Sequence, residues 1–331
     1  MNIGGLRTRF LLSLAFGVTV VIGLFLYGEF SGVASSIGDF RWSYLPVILG
    51  LTLFNYTVRF FKWQFYLKVS DIRGVPFFES VLIFCSGLAM TITPAKLGEW
   101  IKSYYLRTRH GIDPSRSAPI VLAERMTDGF GMILLAAGGL FLFRQGWLFV
   151  IAVSLLGAFV VAVFRFRPFS AWTVALAEKI PFLRRHTGFI AGFYETAFTL
   201  FSPKVLALSV AMGVVSWLAE GIALYYVFLG LGAENSWELA VQAIFILSVV
   251  TLAGAVLLLP GGLGAAETGI TGLAQTMVGL GRDAAAASTL LIRICTLWFG
   301  IAVGVVALVA LSRMPNRFQE PTPTSPSGEA S

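Results

Sequence analysis

Apolar runs of about twenty residues constrain this chain more than any other feature, and the stretches 10–28, 118–143 and 284–311 are three of them. Runs of that length match the ~30 Å hydrocarbon core of a bilayer. A chain that crosses such a core must satisfy its backbone groups within each segment, so helices are the expected form. Composition agrees, with 57% hydrophobic and only 12% charged residues, where a soluble domain carries about 25% charged residues. The expectation is an all-α, multi-pass protein of the inner membrane.

Other classes fall away on residue grounds. Arg7 and Arg9 precede the first run as a leader peptide would have them, but no Ala-x-Ala-type cleavage site follows Phe30. A retained anchor helix is expected there. Cys85 and Cys295 both sit inside apolar segments, which suits buried thiols and argues against a disulfide framework or a zinc site. His110 and His186 lie far apart in basic loops and lack the spacing of a metal pair. The net charge of +7 belongs to loops beside membrane segments, so no nucleic-acid partner is expected. There is no Walker-type loop and no nucleophile–base–orienter set. No cofactor, no metal site, no catalytic residue and no enzymatic activity are therefore expected.

Six segments read as full spans, at about 10–28, 43–61, 118–143, 146–164, 204–229 and 284–312. With the amino terminus in the cytoplasm, seventeen of the 24 Lys and Arg fall on the cytoplasmic side. Only Arg41, Arg144 and Arg282 fall outside, and that bias sets the orientation, with both termini cytoplasmic. The count holds only if the stretches 77–108 and 240–281, each interrupted by Pro and Gly, return to the side they came from. Both are thus expected to be re-entrant helical hairpins. Lys62, Trp63 and Lys68, at the end of the second span, read as interface anchors. The region 1–312 forms one membrane domain, with a cytoplasmic connection at about 165–203 whose amphipathic pieces lie along the membrane surface. A disordered cytoplasmic tail at 313–331 follows, rich in Pro and polar residues.

The two interruptions resemble each other. Thr93-Pro94-Ala95-Lys96-Leu97-Gly98-Glu99 and Leu259-Pro260-Gly261-Gly262-Leu263-Gly264-Ala265-Ala266-Glu267 share Pro-x-x-Leu-Gly followed by a glutamate. Downstream of each comes a span with an embedded arginine, Arg125 or Arg293; upstream comes a span carrying Arg59 or Glu220. The unit span–hairpin–span is used twice, at about 43–143 and 204–312, in opposite orientations. That is an inverted-topology repeat, which many secondary transporters build around a midplane site.

Charges inside spans cost about 2.5–3.5 kcal/mol each on insertion scales, so each needs a partner or a cavity. The residues in question are Arg59, Lys96, Glu99, Glu124, Arg125, Asp128, Glu220, Glu267 and Arg293. Arg125 lies three residues from Asp128 and can pair with it. Glu124, Arg125 and Asp128 are equally consistent with structural ion pairs. Arg293 has no acid in its own span, and a guanidinium fork suits a phosphate. At the breaks, Pro94, Gly98, Pro260, Gly261, Gly262 and Gly264 open the backbone. The helices that follow present amino ends suited to anions.

Thr-Pro-Ala-Lys-Leu-Gly-Glu at 93–99, Glu-Arg-x-x-Asp at 124–128, Leu-Pro-Gly-Gly-Leu-Gly-x-x-Glu at 259–267 and Arg293 together resemble the lysylphosphatidylglycerol synthase membrane domain, or flippase-like, family. The resemblance spans about residues 10–312. It implies an all-helical membrane domain that moves lipids or lipid-linked groups between leaflets. In the best-known members a soluble aminoacyl-transferase domain follows, and here the chain is expected to lack it. Two positions depart from the pattern. Ala95 stands where glycine is frequent, and Ala266 where an arginine is frequent, which weakens the case for a lysyl-lipid as cargo. Stand-alone relatives are associated with glycolipid, polyprenyl-linked sugar or hopanoid pathways.

The expected function is translocation of a phospholipid, glycolipid or polyprenyl-linked lipid through a midplane polar cavity. The alternatives are a non-transporting subunit that recruits or stabilises a lipid-modifying enzyme, and an intramembrane transferase. A homo-oligomer or a lipid-modifying enzyme is the expected protein partner.

Overall fold

A computed structural model describes residues 19, 23, 30–93, 98–140 and 147–314, and every regular element among them is helical. The first half comprises α1 (Phe30–Gly38), α2 (Leu45–Val69), α3 (Phe77–Ala89), α4 (Ile101–His110), α5 (Pro114–Leu140) and α6 (Trp147–Arg165). Connecting helices α7 (Arg167–Lys179) and α8 (Thr187–Leu200) follow, with one short helical turn at Pro181–Arg184 between them, where the sequence suggests a surface connection. The second half comprises α9 (Pro203–Gly230), α10 (Trp237–Val256), α11 (Ala265–Leu273) and α12 (Arg282–Arg313), the last containing a π-helical stretch at Ile294–Trp298.

Five of the described helices are long and apolar enough to cross a membrane: Trp42–Val69, Trp147–Arg165, Pro203–Gly230, Trp237–Val256 and Arg282–Arg313. At 27 residues α5 has the length as well, but Glu124, Arg125 and Asp128 in its middle keep it out of that set. Trp237–Val256 has 20 residues and qualifies by itself, whereas Phe77–Ile92 is shorter. The expected span at 10–28 falls outside the described residues except at Thr19 and Gly23. Pro94, Lys96 and the tail from residue 315 lie outside them too.

The ends of the elements recur between the halves. Both α2 and α9 close in a turn whose amide reaches six residues' span back: Ile72 N–H donates to Leu67 O (2.9 Å), and Ala233 N–H to Phe228 O (3.1 Å). The left-handed residue in these turns is Asp71 in one and Gly232 in the other. Further on, Gly111 and Gly279 both take positive φ. The amides that follow, Ile112 and Leu280, donate to Leu106 O and Ala274 O at 3.2 and 3.1 Å. Ser236 caps α10 by accepting from Leu239 N–H at 3.1 Å, an N-cap that satisfies one of the helix's free amides.

Packing crosses between the halves. The long helices α2 and α9 lie against each other; α3 packs on the second part of α12, and α10 packs on α5. The two breaks meet between them. Ile92, just before the first break, clusters with Leu263 after the second and with Ile301 of α12. Gly261, Gly262 and Gly264 carry φ of +60°, +69° and +87°, a region glycine enters without the penalty a Cβ imposes. Outside, Leu148, Ile151, Leu155 and Phe159 form an exposed apolar stripe along α6, at the spacing of one helical face.

The α3–α12 contact depends on Gly304, where an added Cβ would sit 2.2 Å from Ala89 N. Small residues permit such close approach between membrane helices. Gly304→Ala is expected to destabilise by about 1–3 kcal/mol, the usual range for overpacking. Gly138→Ala, where nothing lies within 4 Å, is expected to leave stability equal or slightly raised. Thermal unfolding in one detergent compares the two variants, and equal midpoints would refute this account of the contact.

Candidate functional site

The break in the second half is bound to α12 through one guanidinium. Arg293 sits immediately before the π-helical stretch; its Nε lies 2.7 Å from Glu267 Oε1, and its Nη2 donates to Gly261 O at 2.7 Å. The other carboxylate oxygen, Glu267 Oε2, accepts from Gly264 N–H at 2.6 Å. Sequence reasoning offers the amino end of this helix to a ligand anion. In the structure Glu267 already fills it, because Gly264 has no side chain with which to cap the helix and Glu267 reaches back to do so.

The first half repeats the pairing and extends it. Arg125 Nε lies 3.5 Å from Glu99 Oε2, the counterpart of Arg293 and Glu267. Its Nη2 lies 3.3 Å from Asp128 Oδ2, the pairing that the three-residue spacing suggests. Asp128 also accepts from the Lys62 ammonium, and Arg59 Nε stands 3.7 Å from it. Lys102 donates to Glu124 and lies 4.0 Å from Glu99 Oε2. Glu124, Lys102, Glu99, Arg125, Asp128 and Lys62 thus form a chain of alternating sign. Glu220 accepts from Asn55 Nδ2 at 3.3 Å, and the same amide donates to Ser216 O at 2.8 Å, tying α2 to α9.

Two residues read as interface anchors are not at an interface. Lys62 and Trp63 are fully buried. The Lys62 ammonium faces Asp128, and Trp63 Nε1 donates to Ser80 Oγ at 3.1 Å. Lys102 is buried as well, with Nζ 4.9 Å from the centre of the Trp63 ring. Arg109 is a third such case. It bonds Glu79 and sends Nη1 to Leu311 O and Met314 O at 3.5 and 3.4 Å, a cation at the carboxyl end of α12. One clue to Lys62 and Lys102 was available: α5 buries two carboxylates beside a single guanidinium, so further cations had to come from other helices.

These charges border a cavity of about 600 Å³. Arg59, Arg125, Asp128, Glu220 and Arg293 line it, together with the backbone at Gly261 and Gly262. The rest of the wall is largely apolar, with Phe130 and Ile133 from α5, Val153 and Leu156 from α6, and Leu252 from α10. Gly98, Glu99, Glu124, Pro260, Gly264 and Glu267 are not part of this lining. Among the described residues no group of three or more His, Cys, Asp or Glu could hold a metal ion. Cys295 is buried and Cys85 partly so, and both are free thiols.

A bundle of apolar helices around an internal cavity edged with paired charges defines an integral membrane protein whose polar chemistry lies inside the helix bundle. The chain belongs to the family of the lysylphosphatidylglycerol synthase TM region, whose family model matches residues 10–304. It is similar to a UPF0104 membrane protein of Methanothermobacter thermautotrophicus, 25% identical over 310 residues, covering 88% of this chain and 90% of the relative. A second UPF0104 membrane protein of the same organism is 26% identical over 247 residues, 67% of this chain and 72% of that one.

Proposed function

We propose that this protein moves a lipid, or a lipid-linked group, between the leaflets of the membrane, and that it does so as a carrier and not as an enzyme. The observation that carries the reading is the cavity: an apolar wall along α5, α6 and α10 leads to charged side chains where the two breaks meet. An amphiphile has the same two ends. Non-helical backbone at membrane depth is tolerated inside protein or beside a polar cavity, and the glycine break at 260–264 borders this one.

In this reading the recurring helix ends and the crossed packing of α3 on α12 and α10 on α5 come from an inverted-topology repeat. The segments around the breaks act as hairpins, the protein sits in the inner membrane, and both termini are cytoplasmic. The cargo is a phospholipid, a glycolipid or a polyprenyl-linked lipid. Family membership supports a lipid-related role.

One observation favours a second reading. Lys62, Lys102, Glu124 and Glu99 are sealed in pairs, as they would be in a subunit that only holds a lipid-modifying enzyme in place. The test is leaflet exchange of fluorescent phospholipids and polyprenyl-phosphate lipids in liposomes carrying the purified protein. Exchange above that of protein-free liposomes is expected for at least one class. A folded, monodisperse sample that exchanges none of them would leave the subunit reading standing.

A further inference from the structure

Among the described residues the charges around the cavity balance in number but not in exposure. Arg59, Lys62, Lys102, Arg125 and Arg293 stand against Glu99, Glu124, Asp128, Glu220 and Glu267. The three guanidinium side chains keep 11%, 20% and 15% of their surface open, for Arg59, Arg125 and Arg293. The carboxylates of Glu99, Glu124, Asp128 and Glu267 keep 2–5%, and the two ammonium groups 1–2%. Glu220 is 8% exposed and accepts from Asn55. Three guanidinium groups therefore line the cavity against two carboxylates, Asp128 and Glu220, and the guanidinium groups are the more open of the two kinds. A ligand entering meets guanidinium donors first.

We propose that the headgroup taken into this cavity is net anionic and carries no amine: a phosphate-bearing group whose oxygens face Arg59, Arg125 and Arg293. The inference rests on the translocation reading above and names its cargo class. A guanidinium offers only donors, in a planar fork that fits phosphate oxygens. A cationic amine needs acceptors, and three at the cavity already have partners: Asp128 has Lys62, Arg59 and Arg125, Gly261 O has Arg293, and Glu220 has Asn55. An amine placed there would face three guanidinium groups, against two carboxylates that already have partners. The apolar wall strengthens that repulsion, because a low local dielectric leaves it poorly screened. The volume of about 600 Å³ is that of a pocket for a drug-sized ligand, which suits a small headgroup with its hydrocarbon tails left in the bilayer.

The experiment uses the full chain in liposomes of a neutral host lipid, with four reporter lipids that share one pair of acyl chains. Phosphatidylglycerol and phosphatidic acid are expected to exchange at least about tenfold faster than phosphatidylcholine and lysyl-phosphatidylglycerol, since like-charge contacts are strongly disfavoured. Arg59→Gln is expected to narrow that ratio and Arg59→Lys to preserve it. Equal or faster exchange of lysyl-phosphatidylglycerol, or an unchanged ratio in Arg59→Gln, would overturn the inference. A second arm reads binding alone, as the shift of thermal unfolding in detergent with short-chain phosphatidylglycerol, short-chain phosphatidylcholine or inorganic phosphate. Absence of all exchange beside a shift specific to phosphatidylglycerol would sink translocation and support the anionic site. Exchange beside equal shifts with both lipids would do the reverse. A full shift with inorganic phosphate alone would assign the site to free phosphate and remove the lipid.

Discussion

Lys62→Met is expected to destabilise the protein by about 3–5 kcal/mol, the range for removing one partner of a buried ion pair. The ammonium is buried and donates to Asp128, which is itself buried. Without it Asp128 keeps Arg125 at 3.3 Å and Arg59 at 3.7 Å, so the loss belongs at the lower end of that range. Lys68→Met, two turns on and exposed, is expected to change stability by no more than about 0.5 kcal/mol. Chemical or thermal unfolding in detergent separates the two. Similar midpoints would mean that Lys62 reaches water by a path the helix packing does not contain.

Arg293→Met is expected to abolish lipid exchange and also to lower stability by about 3 kcal/mol, because Glu267 is left buried without its cation. A single variant cannot separate those effects, but the pair can. Arg293→Met combined with Glu267→Gln removes both charges, and much of the stability is expected to return, as coupled neighbours behave in double-mutant cycles. Exchange is not expected to return. Recovery of exchange along with stability would assign Arg293 to holding the break at Gly261 and to nothing else. Failure of the double variant to regain stability would point to the Gly261 carbonyl, its other partner, as the greater loss.

Much of this arrangement was legible from residues alone, for physical reasons that can be named. Apolar runs report the helices because the bilayer leaves the backbone no other partner. Pro and Gly clusters mark the breaks, and Arg125 and Arg293 stand out because a charge in a long apolar run needs an explanation. Partners across helices were harder to read. Lys62 ends an apolar segment, where a lysine ordinarily snorkels to the interface, and only the fold brings Asp128 opposite it. Lys102 and Arg109 sit in a basic stretch that resembles a cytoplasmic loop, yet α4 folds back and buries both. Glu267 was recognised as a residue of the break, but its reach to Gly264 N–H depends on a positive φ that the sequence only permits. That three guanidinium groups line the cavity and keep more open surface than Asp128, which lines it beside them, is a property of packing, with no local trace.

The contact of Arg109 with Leu311 and Met314 has a consequence for how the protein is made. Synthesis runs from the amino terminus, so Lys62 leaves the ribosome well before Asp128, and Glu79 and Arg109 well before the carbonyl groups that complete their cluster. The same holds for α3, whose packing partner is the last part of α12. A nascent chain must therefore keep several ionic side chains, and one face of α3, without their final neighbours until the end of the last helix has emerged. Chains that terminate before residue 299 are expected to be cleared by membrane proteases while the full chain persists, which pulse-chase labelling of the two would register.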